Sequence, residues 1–290
     1  MKYPFSISSP YLLSLLSIST TLPFTHAIPA PQIPGFTLTW SDTFSGAAGS
    51  PASPKNWQYE TPLTNQNNEI QHYTSSPSNA HLSNTSTLQI TPLHTSGTWT
   101  SARLSTHQTF HCPPNNQLHL QARIKLGNNP STHQQGIWPA FWTLGSSFRN
   151  DGLWPQCAEW DIMEQVNGAS INTGTIHWGN TSSPLAIASS GIPYERAQWH
   201  EYAVRISRVG DWEEQSISWV LDGSVYFLVT GGMVGDWEGW RSLVAESYYV
   251  LLNVAVGGVW PGEPNEWTLG GTGSGMEIGY VGVYEGVGGV

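Results

Sequence analysis

The residues best suited to do chemistry lie in the hexapeptide EWDIME at positions 159–164. Side chains alternate between the two faces of an extended strand, so Glu159 and Asp161 share one face while Glu164 falls on the other. One extra residue in a β-bulge would bring Glu164 back to that face, and bulges are common beside active sites. The motif therefore predicts a bulged strand that presents three carboxylates together.

Three carboxylates on one face retain at least one proton near neutral pH, because like charges a few ångströms apart cannot all ionise. Hydrolysis of a glycosidic bond uses one ionised and one protonated carboxyl group in this way. One carboxylate attacks the anomeric carbon, while a protonated carboxyl group donates its proton to the leaving oxygen. The motif favours a glycosidase, and the alternative for the motif alone is an acidic patch on a solvated strand.

A dense aromatic segment, GIWPAFW at positions 136–142, precedes the acidic motif, and aromatic rings pack on flat apolar surfaces such as sugar faces. The segments NNEIQ at 67–71 and LLNVAVGGVWPG at 251–262 accompany these two. Together they resemble the pattern of glycoside hydrolase family 16, in the form of its secreted fungal, laminarinase-like members. The resemblance covers residues 36–284 in the family's order.

The resemblance implies an all-β fold, a concanavalin-like jelly roll in which two curved antiparallel sheets form a sandwich with a concave substrate cleft. It also implies endo-hydrolysis of internal β-1,3 or mixed β-1,3/1,4 glucan linkages with retention of configuration. Matched by position, Glu159 is the nucleophile, Glu164 the general acid/base, and Asp161 the carboxyl group that orients and tunes them. The implied substrate contacts are Asn68, Glu69, Trp138, Trp142 and His177.

Three positions depart from the family pattern, and one of them, Trp160, stands where an aliphatic residue is usual and is expected to face the core. Gly279 stands where many members have an Asp that binds structural calcium, and a hard-cation site without that carboxylate loses a charged ligand. Ala158 stands where a Gly commonly precedes the nucleophile. Seven further histidines are scattered without a metal-ligand spacing such as His-x-x-x-His. No metal or cofactor is therefore expected.

The elements that must position these residues are strands. Period-two alternation of apolar residues recurs along the chain, most clearly at positions 118–126, and no stretch sustains the spacing of an amphipathic helix. Many short strands separated by Gly, Pro and Asn predict an antiparallel sandwich or barrel. No repeat or linker interrupts residues 28–290, which we expect to form a single catalytic domain.

The composition limits the possible partners. The chain has 20 acidic and 10 basic residues, and its net charge of -10 would repel nucleic acid and anionic membranes. Only 10% of the residues are charged and 15 are Trp, which is unlike a disordered chain. A monomer that binds a polysaccharide, with neither nucleic acid nor membrane as partner, is the expectation.

The N-terminus indicates export. An apolar run over positions 11–24 and small residues near Ala27 predict a signal peptide at residues 1–27, and hence a secreted, extracellular protein. The sequons at Asn84 and Asn180 are possible glycosylation sites. Cys112 and Cys157 either form one disulfide or remain free thiols.

Two other functions compete with hydrolysis. A transglycosylase would use the same two glutamates but would transfer the glycosyl group to a sugar instead of to water. A carbohydrate-binding lectin would keep the cleft aromatics, yet it would have no need for three mutually repelling carboxylates. The intact cluster argues against the lectin.

Overall fold

The computed structural model describes Met1 and residues 27–62 and 66–287, and these residues are mostly strands. The predicted all-β class is confirmed. The signal peptide predicted for residues 1–27 lies outside the described residues except for its first and last positions. Within the described part of the chain, no helix is long and apolar enough to cross a membrane.

The strands, in chain order, are short except for three of ten residues or more. They are β1 (Thr37–Asp42), β2 (Trp57–Tyr59), β3 (His72–Tyr73), β4 (Ala80–Leu82), β5 (Leu88–Ile90), β6 (Leu93–Thr95), β7 (Thr98–Ser101), β8 (Arg103–Thr106), β9 (Asn116–Leu126), β10 (Ile137–Gly145), β11 (Glu159–Glu164), β12 (Ile171–Asn180), β13 (Ser183–Ala188), β14 (Ile192–Pro193), β15 (His200–Ser207), β16 (Ser216–Leu221), β17 (Ser224–Thr230), β18 (Tyr248–Val256) and β19 (Met276–Val287). The α-helices are α1 (Phe148–Asp151), α2 (Gly231–Val234) and α3 (Trp237–Val244), and 3₁₀ turns cover Gln66–Asn68, Ser131–His133 and Thr272–Ser274.

Two large antiparallel sheets contain most of these strands. The support sheet has the order β17-β16-β15-β9-β19-β5-β4, with β1 paired to β19. The cleft sheet has the order β13-β12-β11-β10-β18-β8-β2, with β14 paired to β12. A small sheet of β3, β7 and β6 stands apart from both. Strands distant in the chain are thus brought next to β11, which carries the acidic motif.

One apolar core lies between the two large sheets. The alternating apolar residues of β9 are at most 3% exposed, as the period-two pattern predicts, and they face the apolar residues of β11 and β18. Each such side chain contributes about 1.5–3 kcal/mol through burial. Trp160 is 1% exposed in this core, which leaves the acidic residues of β11 on the opposite face.

The outward face of the support sheet is covered by the chain's own N-terminal segment. Apolar residues of positions 28–38 pack on Tyr280 and Tyr284, which are 1% and 0% exposed. His119 is also buried on this face, between the rings of Phe36 and Tyr284. This face therefore carries a second, smaller core.

Two features left open by the sequence can be placed. Cys112 and Cys157 are both buried free thiols, so the structure contains no bridge between them. Asn84 and Asn180 are both exposed, which is compatible with glycosylation, and their modification stays a prediction.

Candidate active site

Strand β11 is bulged where the parity of the acidic motif requires it. In the pairing with β12, one residue of β12 separates the partners of Asp161 and Glu164, whereas two residues of β11 separate these carboxylates. The pairing with β10 shows the same extra residue. As a result Glu159, Asp161 and Glu164 all line one pocket on the cleft sheet.

The bulge is held from the opposite sheet. Trp219 of β16 donates its indole N–H across the core to the backbone carbonyl of Asp161, at 2.6 Å. Gly174 lies opposite the bulge on β12, and a Cβ atom there would come within 2.4 Å of the Trp219 ring. The close approach of the Trp219 indole therefore requires glycine at position 174 and satisfies a buried carbonyl that would otherwise be costly.

The backbone directly before Glu159 is also unusual. Ala158 is fully buried and has φ of 61°, in the left-handed region that costs an L-residue roughly 1–2 kcal/mol. Glycine adopts this conformation without that cost. This conformation is the physical reason why a glycine suits the position that Ala158 occupies.

The pocket over the cleft sheet has a volume of about 330 Å³. Polar and aromatic side chains line this pocket together with the three carboxylates. Among them are Asn67, Glu69, Arg103, Trp138, Trp142, Trp154 and Asn253. The shape and the aromatic lining are those of a site for a neutral, hydroxyl-rich ligand with flat apolar faces.

The side chains of Trp154 and His177 lie close to the carboxylate of Glu159. The indole N–H of Trp154 donates to Oε2 at 3.0 Å, and His177 Nε2 lies 3.9 Å from Oε1. Burial and the charge of Asp161 raise the pKa of Glu159, while His177 and Trp154 act in the opposite direction. These two neighbours limit the rise in the pKa of Glu159, which is still raised to about 8.

The surroundings of Glu164 disfavour a negative charge more strongly than those of Glu159 do. Burial raises its pKa well above the usual value, and the charges of Asp161 and Glu159 add to this effect. A stabilising contribution comes from Trp138, whose indole N–H donates to Oε1 at 2.9 Å. Because Glu164 has carboxylates as its charged neighbours, it is the one of the two glutamates better suited to hold a proton.

Asp161 and His177 lie in direct contact beside the two glutamates. His177 Nε2 is 3.1 Å from Asp161 Oδ2, and the two groups form an ion pair when the imidazole is protonated. Burial lowers the pKa of His177, but the contact with Asp161 and the charge of Glu159 outweigh burial and leave the pKa raised. A charged imidazolium here would offset part of the negative charge of the cluster.

A buried polar network supports the other end of the pocket. Glu69 is 5% exposed and accepts hydrogen bonds from Gln71 at 2.7 Å and from the Tyr73 hydroxyl at 3.1 Å. Asn253 donates to the same hydroxyl at 3.2 Å and accepts from the Trp142 indole at 2.7 Å. The network fixes Trp142 and Glu69 relative to each other.

The predicted substrate contacts differ in their access to the pocket. Glu69, Trp138 and Trp142 line it, but the Trp142 ring also carries the guanidinium of Arg103 at 4.7 Å from its centroid. His177 reaches the carboxylates from the side. Asn68 is exposed and does not line the pocket, whereas its neighbour Asn67 does.

Sequence reasoning missed several pocket residues, among them Trp154, Asn253 and Arg103. Trp154 lies only five residues before Glu159, and this closeness to the acidic motif in the sequence could have identified it as a site residue. Asn253 belongs to the segment at 251–262, which carries the resemblance, but nothing distinguished it there. Arg103, buried and paired with Glu60 at 2.6 Å, has no signal in the sequence.

The region around Gly279 does not fit a calcium ion. A Cβ atom at this position would face the side chains of Trp199 and Arg123, and both Arg123 and Lys125 stack over the Trp199 ring. The nearby carboxylate of Glu277 is paired with Lys125 at 2.6 Å. Cationic side chains thus lie where a hard cation would need oxygen ligands.

Known proteins resemble this chain in sequence and in structure. Glucan endo-1,3-beta-glucosidase A1 of Niallia circulans is 28% identical over 88% of this chain, and the clotting factor G alpha subunit of Tachypleus tridentatus is 29% identical over 79%. The chain spans only 39% and 31% of these two relatives. The crystal structure of endo-1,3-beta-glucanase from Streptomyces sioyaensis is 32% identical, with a TM-score of 0.80 over 89% of this chain and 99% of that one.

The similar sequences and the similar crystal structure agree with the observed architecture of two packed antiparallel sheets. The predicted jelly-roll sandwich is confirmed by the two packed sheets and by the Streptomyces structure. The family model described as glycosyl hydrolases family 16 matches residues 63–280, which is most of the chain and includes all three carboxylates. The chain therefore belongs to glycosyl hydrolase family 16.

Proposed function

We propose that this chain is a secreted, retaining endo-glucanase that hydrolyses internal β-1,3 linkages of β-glucans, with mixed β-1,3/1,4-glucans as further substrates. The observation that carries the proposal is the unequal surroundings of Glu159 and Glu164. Glu159 has the Trp154 indole, His177 and one carboxylate as neighbours, whereas Glu164 has one indole and several carboxylates, and both line the same pocket. Such a pair supplies a nucleophile and an acid at one pH.

The first step forms a covalent intermediate. An oxygen of ionised Glu159 attacks the anomeric carbon, and the bond from that carbon to the glycosidic oxygen breaks. Protonated Glu164 gives its proton to the leaving oxygen, which departs as the hydroxyl of the released sugar. The indole N–H of Trp138 on Glu164 Oε1 then supports the carboxylate that this transfer creates.

The second step releases the product. Ionised Glu164 takes a proton from a water molecule, whose oxygen attacks the anomeric carbon and displaces Glu159. Two inversions give net retention, so the first product formed has the β configuration. Asp161, between the two glutamates and beside His177, orients the cluster and adjusts its proton affinity.

The substrate class is supported by the relatives. The Niallia and Streptomyces proteins are named as enzymes that cleave 1,3-β-glucans, and the likeness to the latter covers 89% of this chain. Laminarin, a β-1,3-glucan, is accordingly the first substrate to test. Secretion is supported by the apolar run at positions 11–24, and activity without calcium is supported by Arg123 and Lys125 beside Gly279.

The decisive experiment compares substrates and product anomers. The secreted protein is incubated with laminarin, barley mixed-linkage glucan, chitin, agarose and β-galactan, with and without a chelator, and product lengths are measured. We expect short oligosaccharides from laminarin, unchanged by the chelator. Proton NMR in the first minutes should show the β-anomer, and an initial α-anomer would contradict the retaining mechanism.

Two variants test the assignment of roles. With Glu159→Ala, added azide should restore turnover and give an α-glycosyl azide, because the anion attacks the face that the nucleophile vacates. With Glu164→Ala, activity should remain on substrates whose leaving group needs no proton, and azide should give the β product. The reverse pairing would show that the roles are exchanged. The yield of reducing ends from a pure oligosaccharide separates hydrolysis from transglycosylation.

A further inference from the structure

The side chains of Glu159, Asp161 and His177 place three metal-ligand atoms close together at the edge of the pocket. One carboxylate oxygen from each acid and a ring nitrogen of the histidine all lie within 4.8 Å of one another. We propose that these three side chains form a binding site for a zinc ion, and that zinc held there blocks the carboxylate that attacks the substrate.

The distances suit a small divalent ion. Zinc binds histidine nitrogen and carboxylate oxygen at about 2.0–2.2 Å in a tetrahedral arrangement, so its ligand atoms lie roughly 3.4 Å apart. His177 Nε2 is 3.1 Å from Asp161 Oδ2 and 3.9 Å from Glu159 Oε1. A small side-chain adjustment at Glu159 brings all three atoms to zinc distance, and a fourth position remains for water.

The individual ligand atoms are available. Asp161 is 2% exposed, and its Oδ2 atom lies 3.1 Å from His177 Nε2, with no hydrogen bond of good geometry to another described residue. Glu159 has one oxygen engaged by Trp154, and the oxygen nearer to His177 is free of that bond. Zinc between the three groups would bind the neutral imidazole and would supply the positive charge that the imidazolium otherwise places beside Asp161.

Trp154 acts as an outer support for the same site. Its indole N–H fixes Glu159 Oε2 at 3.0 Å, and its ring lies 5.6 Å from the His177 ring. Groups that orient metal ligands in this way raise affinity, and their loss typically lowers it 10- to 100-fold. Side-chain exposures of 26% for His177 and 14% for Glu159 provide a path from solvent.

The nature of the ligands selects the metal. Imidazole suits zinc and copper, whereas calcium takes six to eight oxygen ligands and magnesium prefers octahedral oxygen coordination. One nitrogen and two carboxylate oxygens therefore favour zinc over both alkaline-earth ions. Among the described residues, this is the one group of three such side chains with its ligand atoms so close together.

The test is a calorimetric titration of the whole metal-free chain with zinc chloride, without glucan, in a buffer that does not bind metals. Wild type should bind one zinc per chain. His177→Asn should lower the affinity at least about tenfold, and Trp154→Phe should lower it by roughly the same factor. Calcium and magnesium in place of zinc should give no saturable binding at the same concentrations.

A matched variant controls for surface histidines. His107 is exposed and distant from the acidic residues in sequence, so His107→Asn should leave the zinc affinity unchanged. Thermal unfolding of each variant without zinc checks that the fold is intact. Equal affinities for wild type and His177→Asn, or no binding of one zinc per chain by wild type, would overturn the proposal.

The inhibitory part rests on the proposed glucanase activity and has its own measurement. Zinc should inhibit laminarin hydrolysis competitively, with an inhibition constant equal to the calorimetric dissociation constant, and His177→Asn should be inhibited at least about tenfold less strongly. Zinc binding without inhibition of an active enzyme would overturn the blocking role. A chain inactive on all glucans would refute the proposed function, while the calorimetric result would still decide the site.

Discussion

The outward faces of the two large sheets both bury titratable groups, but they do so in opposite ways. On the support sheet, His119 Nε2 lies 2.9 Å from Gln121 Oε1, Gln121 donates to the Tyr280 hydroxyl, and Tyr280 donates to Glu201 at 3.0 Å. Burial lowers the pKa of His119 to about 4, so the ring stays neutral. On the cleft sheet, Glu164 is surrounded by other carboxylates.

The difference shows what distinguishes a structural polar group from a functional one. On the support sheet, Gln121, Tyr280 and Glu201 form a chain in which donors alternate with acceptors, although His119 Nδ1 and the Tyr284 hydroxyl have no hydrogen-bond partner among the described residues. On the cleft sheet, three carboxylates lie beside one another, so burial there leaves competing charges and raised pKa values in spite of the indole donors of Trp138 and Trp154. The unfavourable arrangement lies on the face with the pocket, and it supports the catalytic role proposed for that face.

The largest expected effect comes from neutralising one glutamate on each face. Glu159→Gln should lower kcat on laminarin about 10⁴-fold or more, because the amide cannot attack the anomeric carbon. Glu201→Gln, on the support sheet, should leave kcat within twofold, since it only accepts a hydrogen bond from Tyr280. Steady-state kinetics of both variants measure this. Comparable losses would remove the distinction between the faces.

A smaller effect is expected at the carboxylate that does not react. Asp161→Asn keeps the shape but removes the charge that raises the pKa values of both glutamates. We expect kcat to fall about 10²-fold, with the pH profile shifted to lower pH. The pH dependence of kcat/KM measures the shift. A loss as large as that of Glu159→Gln would indicate direct participation of Asp161.

The third prediction concerns stability and pH. The pKa of Glu164 is raised in the folded chain, so its stabilising protonated form is fully present below the unfolded-state pKa of about 4.3. This stability is lost as the pH rises through the folded-state pKa. Glu164→Gln should therefore be more stable than wild type at pH 8, by about 1 kcal/mol or more, and equally stable at pH 4.

Urea unfolding at the two pH values measures this difference. The corresponding change on the support sheet, His119→Gln, should show no such gain at pH 8, since His119 is neutral there. Equal stabilities of wild type and Glu164→Gln at pH 8 would mean that the surroundings of Glu164 do not disfavour its ionised form.

The smallest effect compares two buried alanines. Ala158 has φ of 61°, so Ala158→Gly should stabilise the fold by about 1 kcal/mol. Ala122 lies in regular β9, so Ala122→Gly should destabilise the fold by about 1 kcal/mol or more through lost burial and added chain entropy. Thermal unfolding of both variants measures the sign, and destabilisation by Ala158→Gly would contradict the strain at that position.

Much of this arrangement could be predicted from the sequence. The alternation at positions 118–126 predicted β9 and its buried face, and the parity of EWDIME predicted the bulge that is observed. Local periodicity was sufficient because strand geometry fixes which side chains share a face. The single-domain boundary, the secretion of the chain and the roles of the glutamates stay predictions.

Other parts depend on strand pairing and could not be read locally. His177 stands directly opposite Glu159 in the pairing of β12 with β11, although 17 residues separate them in the chain. Arg103 of β8 reaches Trp142 only because β18 lies between their strands. Asn67 lines the pocket beside the predicted contact Asn68, and both have positive φ, so strand alternation does not tell which of the two faces the pocket.

Because the bulge depends on the hydrogen bond from the Trp219 indole to the Asp161 carbonyl, the acidic motif alone does not specify a working site. A hexapeptide EWDIME transplanted into a different sandwich would carry its carboxylates but not the donor from the facing strand that the bulge requires. The pair Trp219 and Gly174 is accordingly a better signature of a working site than the hexapeptide alone. Sequences that keep the three acids but lose this pair should be treated as candidates for a collapsed or inactive cleft.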